Sequence, residues 1–216
     1  MNNMDRIELS RAVARNLLNI KAIKFNFEQP FVWASGWKSP IYCDNRVSLS
    51  DCKVRSLICD GYVNIVQTEF PDTEVIAGVA TGAIAQGVLV ADKLNVPFVY
   101  VREKPKDHGM KKTIEGVIKP KLKTVIIEDL VSTGGSSLNA AKELRNAGAD
   151  VLGMVAIFSY GFPLAIERFK ENNCKLHTLS SLSALIDVAM EEGYITVKEI
   201  DNLNKWHNNP QYYFSD

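Results

Sequence analysis

Glu128 and Asp129 stand side by side at the end of a β-branched apolar run, Thr124-Val-Ile-Ile127, and Leu130-Val-Ser-Thr-Gly-Gly-Ser136 follows them. Two carboxylates before a hydroxyl- and glycine-rich loop make an unusual pair of demands. The loop opens a helix with Leu138, Ala141 and Leu144 on one face, so its free N–H groups and the positive end of the helix dipole suit a phosphate. Gly134 and Gly135 leave room for close approach, and Ser132, Thr133 and Ser136 add hydroxyl donors. The carboxylates would repel that phosphate unless they accept hydrogen bonds from sugar hydroxyls or help hold a cation. A ribose 2′,3′-diol meets the first demand. No GK[ST] follows the glycines and no GxGxxG is present here, so this is neither a Walker A loop nor a dinucleotide loop. The bland alternative is an acidic turn with an ordinary helix cap.

Three further stretches could take part. Gly78-Val-Ala-Thr-Gly-Ala83 leads from a strand into a helix and is a second candidate anion loop, or a small-residue turn that lets a helix pack closely. Residues 102–116 are polar throughout and carry Arg102, Lys104, Lys106, His108, Lys111 and Lys112. Alone, such a stretch reads as a solvated loop. It leaves the same edge of the sheet as the other two, however. Phe31-Val-Trp-Ala-Ser-Gly-Trp-Lys-Ser-Pro-Ile-Tyr-Cys-Asp-Asn-Arg46 mixes aromatic and polar residues outside any helical period and reads as a hairpin-like insertion.

The elements that must position these stretches follow from periodicity. Residues 5–24 and 50–70 carry apolar positions at helical spacing. Beyond residue 74, apolar runs at 75–77, 98–101, 124–127, 151–158 and 176–179 alternate with helical patterns at 83–94, 137–147, 163–172 and 183–192. Gly148 falls where a C-terminal glycine cap is expected. Strands apolar on both faces, separated by helices, predict an α/β fold: a parallel sheet flanked by helices. Ligands of such sheets bind at the carboxyl ends of the strands.

Composition narrows the function classes. The 216 residues hold 25 Lys and Arg against 25 Asp and Glu, for zero formal net charge. A nucleic-acid binder would show a basic excess. Cys43, Cys52, Cys59 and Cys174 show no CxxC spacing, so reduced thiols are expected rather than a zinc site. Nothing approaches the ~20 apolar residues of a membrane span. One domain over 1–216 and a cytoplasmic location are the expectations; residues 193–216 are left unassigned.

The acidic pair and its loop resemble the signature of the type I phosphoribosyltransferases. The KDHG of residues 106–109 and the hood WASGWKSPIYCDNR of residues 33–46 resemble the orotate branch. That resemblance implies the type I phosphoribosyltransferase fold with a small N-terminal hood at about 25–47 and a lid at about 102–116. It implies substrates 5-phosphoribosyl 1-diphosphate and orotate, Mg2+ carried mainly on the diphosphate rather than in a protein metal site, and a homodimer whose lid closes over the neighbouring subunit. Glu128 and Asp129 would hold the ribose diol. Leu130, Val131, Ser132, Thr133, Gly134, Gly135 and Ser136 would cradle the 5′-phosphate. Arg102, Lys106 and His108 would meet the diphosphate, with Lys106 and Asp129 as catalytic residues. Gly78 to Ala83 would be the pyrophosphate loop, with a cis peptide placed at Ala80–Thr81. Relative to other branches, lysines are missing at Ala34 and Gly82, a basic residue at Glu103, and a base-holding arginine near Tyr160, which leaves Ser132 and backbone N–H groups for the orotate carboxylate. A transferase for another base, a sugar-diphosphate-sensing regulator and a diphosphokinase-like synthetase are the alternatives.

Overall fold

A computed structural model describes residues 5–33, 35–103 and 113–213. Helix α1 (Arg6–Asn19) is capped by the Asp5 carboxylate, which accepts from the Ile7 N–H, and it buries Leu9, Val13 and Leu17 along one stripe. The helix stops short of residue 24. Lys21 takes a left-handed conformation (φ 59°) and turns the chain into strand β1 (Ile23–Phe25). The hairpin of β2 (Phe31–Val32) and β3 (Lys38–Ser39) follows, and β4 (Ile41–Cys43) returns to pair antiparallel with β1. A 3-10 turn (Asn45–Ser50) leads to α2 (Cys52–Glu69), capped by Asp51.

The remaining elements are β5 (Val75–Val79), α3 (Ile84–Leu94), β6 (Phe98–Val101), β7 (Ile114–Glu115), β8 (Lys123–Val131), α4 (Gly135–Asn146), β9 (Asp150–Ser159), α5 (Pro163–Glu171), β10 (Leu176–Ser181), α6 (Leu182–Glu191) and α7 (Val197–Asn208). Their sheet runs β10-β9-β8-β5-β6-β7. The first five are parallel, and β7 is antiparallel beside β6. Because successive side chains point to opposite faces, Val125 and Ile127 join the core under α1, α2 and α6, whereas Ile126 joins the core under α4 and α5. Apolar on both faces, these strands need cover on both sides.

Two differences from the sequence reading bear on function. The apolar run was expected to stop at residue 127, but β8 continues through the carboxylates to Val131, paired with β9 at Glu128, Leu130 and Val131. Glu128 and Asp129 therefore sit on the sheet itself. The unassigned tail also contains α7, opened by a capping box in which Glu199 and Thr196 bond reciprocally. Gly148 follows the end of α4 with φ 90°, as the cap reading required.

Candidate active site

Strands β5, β6 and β8 end together around a cavity of about 250 Å³ lined by Ala80, Thr81, Gly82, Arg102, Glu128, Asp129, Ser136 and Asn139, among others. Two helices aim their N-termini here, and neither has a side-chain cap: α3 starts from Ala83, and α4 from Gly134 at φ 79°. By contrast, Asp5, Asp51 and Ser181 cap α1, α2 and α6. Uncapped first-turn N–H groups remain available to an anion. A side chain at Gly134 would press on Phe169 (2.9 Å), while Gly135 faces open space. The Ala80–Thr81 peptide is cis.

Glu128 is buried, and both of its oxygens are engaged: Oε1 accepts the Asp129 N–H (2.9 Å) and Oε2 the Ser137 hydroxyl (2.8 Å). Burial and the adjacent Asp129 carboxylate push its pKa well above the ordinary carboxylate value. Asp129 is the more open of the pair. The strand end beneath them is pinned by Tyr62, whose hydroxyl donates to the Glu128 carbonyl, and by Asn45, whose Nδ2 donates to the Asp129 carbonyl at 2.7 Å. Tyr62 was not legible in the sequence, and Asn45, though part of the hood motif, carries no local sign of its partner. Both act from distant segments. Asn139, one turn into α4, also escaped notice.

A second cavity, about 320 Å³, adjoins the first and is lined by Val32, Trp33, Ser35, Tyr42, Cys43, Leu130, Ser132 and Tyr160. Leu130 lines both. This cavity is an aromatic slot with hydroxyls, suited to a flat, hydrogen-bonding ring. The Cys43 thiol is raised by burial and so stays protonated, donating to Asn45 Oδ1.

Of the residues singled out in the sequence, Glu128, Asp129, Leu130, Ser136 and Arg102 line the first cavity and Ser132 the second. Val131 is buried in the sheet core. Thr133 presents its carbonyl to Arg168 (3.1 Å) rather than lining either cavity. Arg102 meets Glu115 across the β6–β7 pair at 3.4 Å, and its N–H donates to the Thr113 carbonyl, so both ends of the basic stretch are tied together. Lys106 and His108 lie outside the described residues, as does Ala34.

Residues 58–180 match the phosphoribosyl transferase domain family. An orotate phosphoribosyltransferase of Porphyromonas gingivalis is 51% identical over 94% of this chain and 97% of its own length. One from Streptococcus sanguinis is 50% identical over 94% and 97%. The chain belongs to the orotate phosphoribosyltransferase family. The crystal structure of a family member from Aeropyrum pernix superposes with a TM-score of 0.73 at 25% identity, covering 85% of this chain and 99% of that one.

The structure gives the departures noted in the sequence a physical setting. At Gly82, where the resemblance leads one to expect lysine, a methyl group would lie 2.0 Å from Asp129 Oδ2. The Asp129 carboxylate occupies the room a side chain would need. Tyr160, where the resemblance leads one to expect a base-holding arginine, is 2% exposed and packs 5.0 Å from Trp33 and 5.5 Å from Phe162. Among the described residues that line the aromatic cavity, none is charged.

Proposed function

We propose that the protein transfers the phosphoribosyl group of 5-phosphoribosyl 1-diphosphate to N1 of orotate, giving orotidine 5′-phosphate and pyrophosphate in pyrimidine biosynthesis. The observation that carries this reading beyond family membership is the meeting of the two cavities at Leu130. A polar pocket under two uncapped helix N-termini opens into an aromatic slot of base size, so a ribose anchored in the first presents its anomeric carbon to a ring lying in the second.

On this reading orotate N1 attacks C1 with inversion as the C1–O bond to the diphosphate breaks. No covalent nucleophile is required. Catalysis is positioning and charge stabilisation. Asp129, with Glu128 behind it, accepts from the ribose diol. The segment 130–136 and the α4 N-terminus receive the 5′-phosphate, and the 78–83 loop receives the pyrophosphate. Arg102, Lys106 and His108 neutralise charge on the leaving group as the lid excludes water. Ser132, Tyr42 and Tyr160 offer hydroxyls to the base in place of the missing cations.

No group of three or more His, Cys, Asp or Glu that could hold a metal ion occurs among the described residues. Magnesium suits this arrangement as a passenger of the diphosphate, since it binds readily through one or two carboxylates plus substrate phosphates; Asp129 is the side chain to steady it. Magnesium would supply charge neutralisation of the leaving pyrophosphate. The homodimer with a shared lid is part of the same proposal, as is a cytoplasmic location. No helix among the described residues is long and apolar enough to cross a membrane.

The test is direct: loss of orotate's ultraviolet absorbance on adding the sugar diphosphate and magnesium, with uracil, hypoxanthine and xanthine as competitors. Orotate turnover with little effect of the other bases is expected. An active, folded dimer that leaves the absorbance unchanged would refute the reading.

A further inference from the structure

The base slot rests on a helix that comes from the far end of the chain. We infer that α7 is a working part of the base pocket, through two positioning residues, Trp206 and His207; the inference builds on the base-binding role proposed above for the aromatic cavity. Trp206 is fully buried and stands edge-on to three rings at once: Trp33 (5.8 Å, 89°), Tyr160 (5.5 Å, 86°) and Phe162 (5.3 Å, 74°). Trp33 and Tyr160 together form the aromatic wall of the slot, their rings in contact at 5.0 Å between centres. One indole therefore backs both rings of that wall.

His207 fixes the backbone of the same wall. Its Nε2 lies 2.9 Å from the Tyr160 carbonyl, and a carbonyl only accepts, so Nε2 must carry the proton. The imidazole also stacks on Phe162 at 5.4 Å and 24°. Residues 160–162 form the turn between β9 and α5, where the chain leaves the sheet edge and where the missing base-holding cation would have stood. One polar anchor of that turn thus comes from α7, beside the Gly161 N–H that donates to Ser159 Oγ.

Docking of a tail for burial alone would be served by leucine or phenylalanine. Trp206 instead buries an indole N–H that has no hydrogen-bond partner among the described residues, and an orphaned donor costs stability. What the indole adds is breadth: it backs the hood ring and the sheet ring together, joining two segments 127 positions apart in sequence, residues 33 and 160. The hood hairpin and β9 are then held together behind the slot by the C-terminal helix, and the shape of the slot's aromatic wall follows.

The experiment uses the full-length enzyme and the orotate absorbance assay, with kcat, both KM values and thermal midpoint measured for wild type, His207→Leu, His207→Gln and Trp206→Phe. His207→Leu removes the donor and should raise the KM for orotate about tenfold, the scale of one buried hydrogen bond, while the KM for the sugar diphosphate stays within about twofold. His207→Gln keeps an N–H at similar reach and should recover most of the loss. Trp206→Phe should shift the same KM in the same direction. Equal changes in both KM values, or an unchanged orotate KM in folded His207→Leu and Trp206→Phe, would overturn the inference and leave α7 as cover alone. A wild-type protein with no orotate turnover would instead overturn the functional reading itself.

Discussion

The sugar-phosphate half of the site is assembled from three stretches, each spanning the carboxyl end of a strand of the main sheet: 79–82, 101–103 and 128–140. The base half draws on 32–43, 130–132 and 160, with 206 and 207 behind them. On the proposed reading the first half recognises its ligand by backbone N–H groups and carboxylates held on a sheet edge, with little freedom to move. In the second, aromatic rings from separate segments pack into one wall, and its shape depends on that packing. Damage to the sugar-phosphate half should therefore act on turnover and on the sugar diphosphate. In the base half it should act on orotate.

The largest expected effect is at Lys106, in the basic stretch proposed as the lid. Lys106→Ala should lower turnover by ~100-fold or more, the scale of losing one preorganised donor to a transition state; near-normal turnover in a purified mutant dimer would remove Lys106 from that role. Next is Gly82→Ala, which sets a methyl group 2.0 Å from Asp129 Oδ2 and must displace the carboxylate. Overpacking of this kind costs roughly 1–3 kcal/mol, so kcat/KM for the sugar diphosphate should fall roughly ten- to a hundredfold with the orotate KM nearly unchanged. Wild-type kinetics in that variant would show that Asp129 tolerates another position. Trp33→Ala cuts the other way. It removes one ring of the slot's aromatic wall and should raise the orotate KM roughly tenfold while sparing the KM for the sugar diphosphate. If Gly82→Ala and Trp33→Ala affect both substrates alike, the two halves are not separate.

The same difference governs what the sequence reveals. The run ending at Glu128 and Asp129, the glycines after it and the helix beginning at Gly135 are neighbours in the chain, so their chemistry can be read from spacing. Even there, β8 outran its apolar pattern, because pairing with β9 continues for as long as backbone partners exist, whatever the side chains. The base half resists such reading. Trp33 and Trp37 are visible as aromatics, but nothing near them points to Trp206. Asn45 holding the Asp129 carbonyl joins residues 84 positions apart. Long-range contacts of this sort leave no periodicity, and the tail at 193–216 stayed unassigned for that reason.

The smallest effect lies beneath the sugar-phosphate half and tests what that half costs the fold. Glu128 is buried beside Asp129, and its carboxyl is held well above the ordinary pKa. Below the ordinary carboxylate value the folded and unfolded states are both protonated and the group contributes no pH dependence. As pH rises past that value, the unfolded chain releases its proton while the folded one keeps it. The folded state then binds more protons, so stability falls until the raised folded pKa is passed. Glu128→Gln removes that penalty: its amide oxygen can accept the Asp129 N–H, and its NH2 can donate to the Ser137 hydroxyl, which also accepts. The variant should therefore melt higher than wild type near pH 8, with the gap narrowing toward pH 5. In a chain of this length each ~1 kcal/mol moves the midpoint by about 2–4 °C. A gap that does not change with pH, or a variant that melts lower at pH 8, would mean that the hydrogen bonds from Ser137 and Asp129 outweigh burial and that the carboxylate is ionised in the fold. The aromatic half offers the control, since Tyr160→Phe alters no group that ionises between pH 5 and pH 8 and should shift the midpoint by the same amount at both.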